Sequence, residues 1–293
     1  MLLDHTLMPD REAIGPLPNP LGLAGIEFIE YETTRPQALG QSLEAMGFRP
    51  VARHRSREVL LYRQGGMNVI VNAHHAVPSG HEGEPVLAAI AFRVRDVAAA
   101  YRRGLDLGAW AVATQVEPME LNIPAIHGVG ASRIYFVDRW REFSIYDVDF
   151  VPIPTVDPHP PALAGLGWFG VVQYIGFDRL ADWIAFYGEL FGFAELPADR
   201  HFGVLTQGRI LASPCGTLHW QLIEPDVDAA EIDAGECLQR VALGTPDVPK
   251  AVALLRERGV EFIESSGVCS TDKGALTRAS PPGASFELVR WPG

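Results

Sequence analysis

The stretch LQRVALGTPDV, residues 238–248, reads as a buried strand passing into a turn and a helix, and its third residue is Arg240. A guanidinium keeps its charge at any relevant pH and offers only N–H donors, so it suits a carboxylate and coordinates no metal. Side chains alternate across a strand. Arg240 therefore goes with Ala242 to one face, and Val241 goes with Leu243 to the other. In SFELVRW, residues 285–291, Glu287 separates in the same way from Phe286 and Leu288. In TLHWQLIE, residues 217–224, His219 alternates with Gln221, and both are candidates to point inward. His219 has two readings, a hydrogen-bonded pocket histidine or a metal ligand. His74 and His75 are adjacent, so on a strand their rings face opposite ways, which argues against a shared metal. Cys215, Cys237 and Cys269 are odd in number and have no CxxC spacing, against both a disulfide framework and a cysteine-only zinc site.

The bulk of the chain narrows the setting. Its 293 residues carry a formal net charge of -12 with no block of Lys and Arg, which argues against a phosphate-tracking nucleic-acid partner. The opening MLLDHTLMPDREAIGPLPNP is broken by Asp and Pro before a signal core could form, and no stretch approaches membrane-spanning length. The expectation is a cytoplasmic protein with no membrane partner and a loose N-terminal arm over residues 1–18. GVGAS, residues 128–132, precedes a strand rather than a helix, so it is no dinucleotide loop.

The elements that must hold these side chains come in a repeat. IEFIEYETTRPQALGQSLEAMGF and VVQYIGFDRLADWIAFYGELFGF each read as strand, turn, amphipathic helix and Gly-Phe. Leu39, Leu43 and Met46 recur at helical spacing in the first, and Leu180, Trp183, Phe186, Leu190 and Phe191 in the second. Gly47 and Gly192 sit where a helix ends in a left-handed residue. Hairpin signals follow at Gln64-Gly65-Gly66 and at Pro214-Cys215-Gly216. A second strand and helix come next in each half, with Pro249 in a first helical turn. Each half then closes on a further hairpin, SRIYFVDRWREFSIYDVDF and GALTRASPPGASFELVRW. The reading is an α+β protein of two modules, residues 19–152 and 166–293, joined by a Pro-rich linker over residues 153–165. Each module holds paired βαβββ units forming a curved antiparallel sheet with helices outside and a concave face for a ligand.

This pattern resembles the vicinal oxygen chelate superfamily of the glyoxalase fold. The strings PNPLGLAGIEFIEYE, AMGFRPVARHRSREVLLYRQGGMNVIVNAHH and MELNIPAIHGVGASRIYFVDRWREFSIYDVDF resemble the bacterial 4-hydroxyphenylpyruvate dioxygenases. The second half is similar through ADWIAFYGELFGF, LQRVAL and SFELVRW. The resemblance implies Fe(II) held in the second module by two His and one Glu on one octahedral face, with open positions for a 2-oxo acid and dioxygen. Aligned on the WIAFY helix, the first ligand position is Gln173. The second is Arg240, beside a retained Gln239, and the Glu position is Glu287. By the same alignment the first-module counterparts are Glu30, Ala89 and a residue near Tyr146. His54 and His127 fall in strings that match scaffold segments.

Two of the three ligand positions therefore lack an imidazole. At ~4 Å and an effective dielectric of ~20, two unit charges interact by about 4 kcal/mol, and a dication against Arg240 roughly doubles the repulsion. No resident cofactor is expected, and the vestigial Glu287 is expected to pair directly with Arg240 on the concave face. Such a pair need not add stability, but it spares Glu287 from being buried alone. The same N–H donors suit a ligand carboxylate, so Gln173, His219, Gln221, Gln239, Arg240 and Glu287 are also candidates to bind a small anionic or aromatic, 2-oxo acid-like molecule. The expected function is a dioxygenase-family protein without iron or the family's activity. Two alternatives stand beside it. One is an oxygenase or lyase with Fe(II) or another divalent metal on a rebuilt site of Glu287, His219 and Gln173. The other is a structural or partner-binding pseudoenzyme. The resemblance also implies self-association, and a C-terminal helix over the active site. Here VRWPG directly follows the Glu287 strand, so a cavity open to water is expected.

Overall fold

In the computed structural model the described residues are 18–74, 84–113, 120–140, 143–198, 200, 202–204, 207–224, 235–265, 268–279 and 284–291. His75, most of the N-terminal arm and the turn of the last expected hairpin lie outside them. Strand β1 (Ile26–Glu32) leads into helix α1 (Pro36–Ala45), and β2 (Arg49–His54), β3 (Val59–Gln64) and β4 (Met67–Asn72) follow as antiparallel neighbours. Helix α1 buries Leu39 and Leu43. It stops at Gly47, where φ is 101° and the Phe48 N–H returns to the Leu43 carbonyl at 2.9 Å. The helical crossover restores strand direction and two hairpins then reverse it twice. As a result β4 comes back beside β1 and parallel to it, with Ile29 opposite Val69.

The second unit repeats this plan in β5 (Val86–Arg93), α2 (Val97–Asp106), β6 (Ala125–His127) and β7 (Arg133–Val137). Its second strand is reduced to a single bridge between Ala111 and Ile126. The first half does not close on a hairpin, as the sequence suggested. After β7 the chain forms α3 (Tyr146–Asp149) and β8 (Phe150–Pro152), which crosses to the far edge and pairs with β2. The first sheet runs β6-β7-β5-β1-β4-β3-β2-β8.

The second half starts with β9 (Gly167–Tyr174) and α4 (Leu180–Phe186), which widens into a π-helical turn over Tyr187–Phe191 and ends at Gly192, φ 77°. Strands β10 (Ala194–Glu195), β11 (Arg209–Ala212) and β12 (His219–Ile223) complete that unit. The last comprises β13 (Cys237–Thr245), α5 (Val248–Glu257), β14 (Gly274–Leu276) and β15 (Phe286–Arg290), its second strand again a single bridge, Phe262 to Thr277. Asp96 and Asp247 cap α2 and α5 by accepting the Ala99 and Lys250 N–H groups. The second sheet runs β10-β11-β12-β9-β13-β15-β14. Both sheets are mixed rather than wholly antiparallel. The parallel pairs β1·β4, β5·β7, β9·β12 and β13·β15 follow from the helical crossovers.

The helix-packed faces of the two sheets meet in one core. The Phe92 ring lies 5.2 Å from Phe191 and 6.0 Å from Trp220. Opposite this core each sheet has a concave face with its own cluster. In the first, Val51 of β2 and Val137 of β7, far apart in strand order, join Phe28, Leu61, Tyr146 and others, which requires the sheet to curve. In the second, Phe169, Ala242 and Val289 pack with Phe202 and Trp291. The Pro-rich segment is clipped to the β3–β4 turn, the Gly65 N–H donating to the Pro160 carbonyl at 2.8 Å and the Leu163 N–H to Gln64 Oε1 at 2.8 Å. No helix among the described residues is long and apolar enough to cross a membrane.

Candidate functional site

Four neighbouring strands, β12, β9, β13 and β15, build the concave face of the second sheet. Their registers set His219 opposite Gly170, Gly170 opposite Ala242, and Ala242 opposite Glu287. One step along, Gln221 faces Val172 and Val172 faces Arg240. His219, Gln221, Arg240 and Glu287 therefore share this face. Alternation alone gave that outcome for each strand, since every intervening residue is needed by the helix-packed core.

Arg240 and Glu287 are 3 % and 2 % exposed, so the question is how their charges are met. Arg240 Nε donates to Glu287 Oε2 at 3.1 Å. Gln239 sits at a bulge between Leu238 and Arg240, and its Oε1 accepts from Arg240 Nη1 at 2.8 Å. Arg240 Nη2 is buried without a hydrogen-bond partner. The other carboxylate oxygen, Glu287 Oε1, accepts the Val204 N–H at 2.9 Å. The chain reaches that position through Gly203, at φ 68°, where a Cβ would stand 1.9 Å from Glu287 Oε1. Both carboxylate oxygens are thus engaged by the protein itself.

His219 lies in an aromatic box. Its ring stacks on Phe169 at 4.5 Å, with Phe202 at 4.7 Å and Trp291 at 5.3 Å. Burial lowers its pKa below the ordinary 6.5, against a weaker opposing pull from the Phe169 backbone, and its Nδ1 is buried without a partner. Gln221 Nε2 donates to the Gln207 carbonyl at 2.7 Å. The space left among these side chains is about 20 Å³, which holds one water. An aromatic 2-oxo acid does not fit in that space.

Gln173 is not part of this constellation. It pairs with Leu222 and Leu238, faces the helix-packed core and has 0 % exposure. Its Oε1 accepts both the Tyr187 hydroxyl at 2.7 Å and the Trp220 indole N–H at 2.8 Å. Spacing from the WIAFY helix fixes a position along β9 but not its face. The β9 residues beside Arg240 and Ala242 are Val172 and Gly170, which carry no ligating atom. A Cβ at Gly170 would come 2.0 Å from the His219 carbonyl oxygen. Gly170, Val172, Phe202 and Trp291 were not singled out by sequence. The inward phase of His219 and Gln221, combined with the parallel pairing of β9 and β12, is the signal that finds the first two.

In the first module Glu30 lies directly opposite Ala89, and Ala89 lies opposite Arg133. The third counterpart is Tyr135, which sits against Ala91 as Glu287 sits against Ala242, and not a residue near Tyr146 on α3. Glu30 accepts from Asn72 Nδ2 at 2.7 Å and meets Arg133 Nη2 at 3.3 Å. His54 Nδ1 accepts the Arg57 N–H at 3.2 Å, a scaffold contact, and His127 is exposed at the end of β6. The three cysteines are free thiols.

Two mixed sheets assembled from four βαβββ units, with charged side chains on their concave faces, define the two-module vicinal oxygen chelate architecture. A mutant of 4-hydroxymandelate synthase from Streptomyces coelicolor shares that fold, with TM-score 0.72 over 93 % of both chains at 18 % identity. Residues 17–151 match the family model described as hydroxyphenylpyruvate dioxygenase, HPPD, N-terminal. The chain is 38 % identical to the 4-hydroxyphenylpyruvate dioxygenase of a Pseudomonas species (strain P.J. 874), over 84 % of this chain and 72 % of that one. It is 36 % identical to hemolysin VllY of Vibrio vulnificus, over 84 % of this chain and 73 % of that one. The chain belongs to the 4-hydroxyphenylpyruvate dioxygenase family.

Proposed function

We propose that this family member does not assemble an Fe(II) site in its second module and does not carry out the family's dioxygenation. The single observation behind the reading is the buried Arg240–Glu287 pair. Ferrous iron of this class takes two imidazoles and a carboxylate on one face, with open positions for substrate. Among the described residues the concave face offers His219 as an imidazole, Gly170 and Val172 in place of a donor on β9, and a guanidinium at Arg240. The carboxylate of Glu287 already accepts from Arg240 and from the Val204 N–H. A dication placed there would displace both donors and meet the Arg240 charge at close range. These residues do not fit the metal, so no reaction step is routed through it. The Gln173 of the rebuilt site considered above faces the opposite side of the sheet.

Ligand class is the second half of the proposal. The family resemblance supports a small anionic aromatic molecule, and the pocket of about 20 Å³ beside His219 and Glu287 is too small to seat it. The metal half is tested by elemental analysis of protein purified without chelator, together with oxygen uptake in the presence of 4-hydroxyphenylpyruvate. Iron at background level and no substrate-dependent uptake are expected. One tightly held iron per chain with turnover would overturn it.

A further inference from the structure

A cavity of about 630 Å³ opens on the concave face of the first sheet, within the size range of small-molecule sites. Its walls include Glu27, Arg55, Arg63, Arg93, Trp140 and Tyr146. Glu27, 2 % exposed, accepts from Arg93 Nε at 2.6 Å, and its backbone carbonyl accepts from Asn68 Nδ2 at 2.9 Å. That contact leaves both Nη groups of Arg93 without a hydrogen bond among the described residues. Arg63 donates from Nε to Asn68 Oδ1 at 2.7 Å and from Nη1 to the Pro158 carbonyl at 2.8 Å, leaving Nη2 free. The Arg55 guanidinium has no partner among the described residues. Three arginines thus line one cavity with two carboxylates, the buried Glu27 already taken by Arg93 and the exposed Asp147 accepting the Ser144 N–H, in a protein of net charge -12.

The same arginines meet aromatic rings. Arg93 lies over Trp140 at 5.2 Å, and Arg63 over Tyr146 at 5.5 Å, so unsatisfied planar donors stand beside flat apolar walls. Burial and the Glu27 carboxylate push the Tyr146 phenol well above its usual range, so it stays neutral and adds no charge to repel an anion. We propose that this first-module cavity binds a small aromatic carboxylate. The carboxylate takes the free N–H groups of Arg63 and Arg93, and the ring lies against Trp140 and Tyr146. This inference rests on the ligand half of the reading above and is independent of its metal half.

The test is calorimetric titration of the full chain with 4-hydroxyphenylacetate, with acetate and 4-hydroxyphenylethanol as probes lacking the ring or the charge. One-to-one binding of the aromatic carboxylate is expected, with neither control binding measurably. Arg63→Gln and Trp140→Ala should each weaken it at least tenfold, and Arg63→Lys should restore part of the loss. Circular dichroism and the thermal midpoint check that these variants fold. Hydrogen exchange on the unaltered chain supplies a readout that needs no variant. Ligand-dependent protection of the peptides carrying Arg63 and Tyr146 is expected. No binding, undiminished binding in both variants, or protection confined to residues 166–293 would overturn the assignment. Iron content measured on the same samples reports separately on the second module.

Discussion

The two concave faces descend from one plan and have diverged in opposite directions. The first keeps cavities of about 630 Å³ and 340 Å³ beside half-exposed arginines, whereas the pocket lined by His219, Gln221 and Glu287 on the second is about 20 Å³. In the second, Phe169, Phe202 and Trp291 pack around His219, and the charges that remain are sealed against each other. In the first, β8 adds to the sheet edge beside β2, and α3 and β8 set Tyr146 and Phe150 in the wall of the larger cavity. The ion pairs follow the same division. Arg133 is shared between Glu30 and Glu32 with 22 % of its side chain exposed, while Arg240 has one carboxylate and almost no water.

Breaking each pair measures that difference. Glu287→Gln leaves Arg240 buried without its counter-charge and should cost roughly 3–5 kcal/mol in urea unfolding. Replacing both partners together, Arg240→Met with Glu287→Leu, should recover most of that loss, because two buried charges are removed at once. Gln173→Leu strands the Tyr187 hydroxyl and the Trp220 indole N–H and should cost about 1–3 kcal/mol for each group left unsatisfied. Glu30→Gln should cost about 1 kcal/mol or less, since Arg133 keeps Glu32 and water. The smallest expected effect is on pH dependence. Because the folded pKa of His219 lies below its ordinary 6.5, the neutral ring contributes stability above about that pH. That contribution is lost as pH falls through the folded value. His219→Phe should flatten the slope of unfolding free energy against pH below 6.5, and an unchanged slope would contradict a buried neutral ring.

How much of this was legible in sequence depended on range. The four helix-containing units, the glycine stops at Gly47 and Gly192 and the helix start marked by Pro249 follow from local periodicity and capping. Alternation gave the face of Arg240 and of Glu287, and the family resemblance brought the two strands together, which tertiary packing did not disturb. Gln173 failed because counting back from a helix carries no information about face, and β9 meets β13 across a bulge near Ala242. A one-residue change of phase moves a side chain from the ligand side to the core. The terminal segment of the first module failed for another reason. β8 is short and reaches a strand about a hundred residues earlier, a pairing no local signal marks. The first-module cavity was equally invisible, because its existence depends on which distant aromatics do not fill it.

Arg240→His sharpens the comparison further. It removes the buried cation from a face that already holds His219 and Glu287, and should raise iron retention at least tenfold. Gln173→His should leave retention at background, since that side chain points into the helix-packed core. The central claim, that a protein ion pair holds the place of the family's iron, is tested most directly on the unaltered chain. Anaerobic incubation with Fe(II), gel filtration and elemental analysis give the answer in one number. Iron at the level of the buffer blank is expected, and close to one iron per chain would mean that the ion pair does not hold that place.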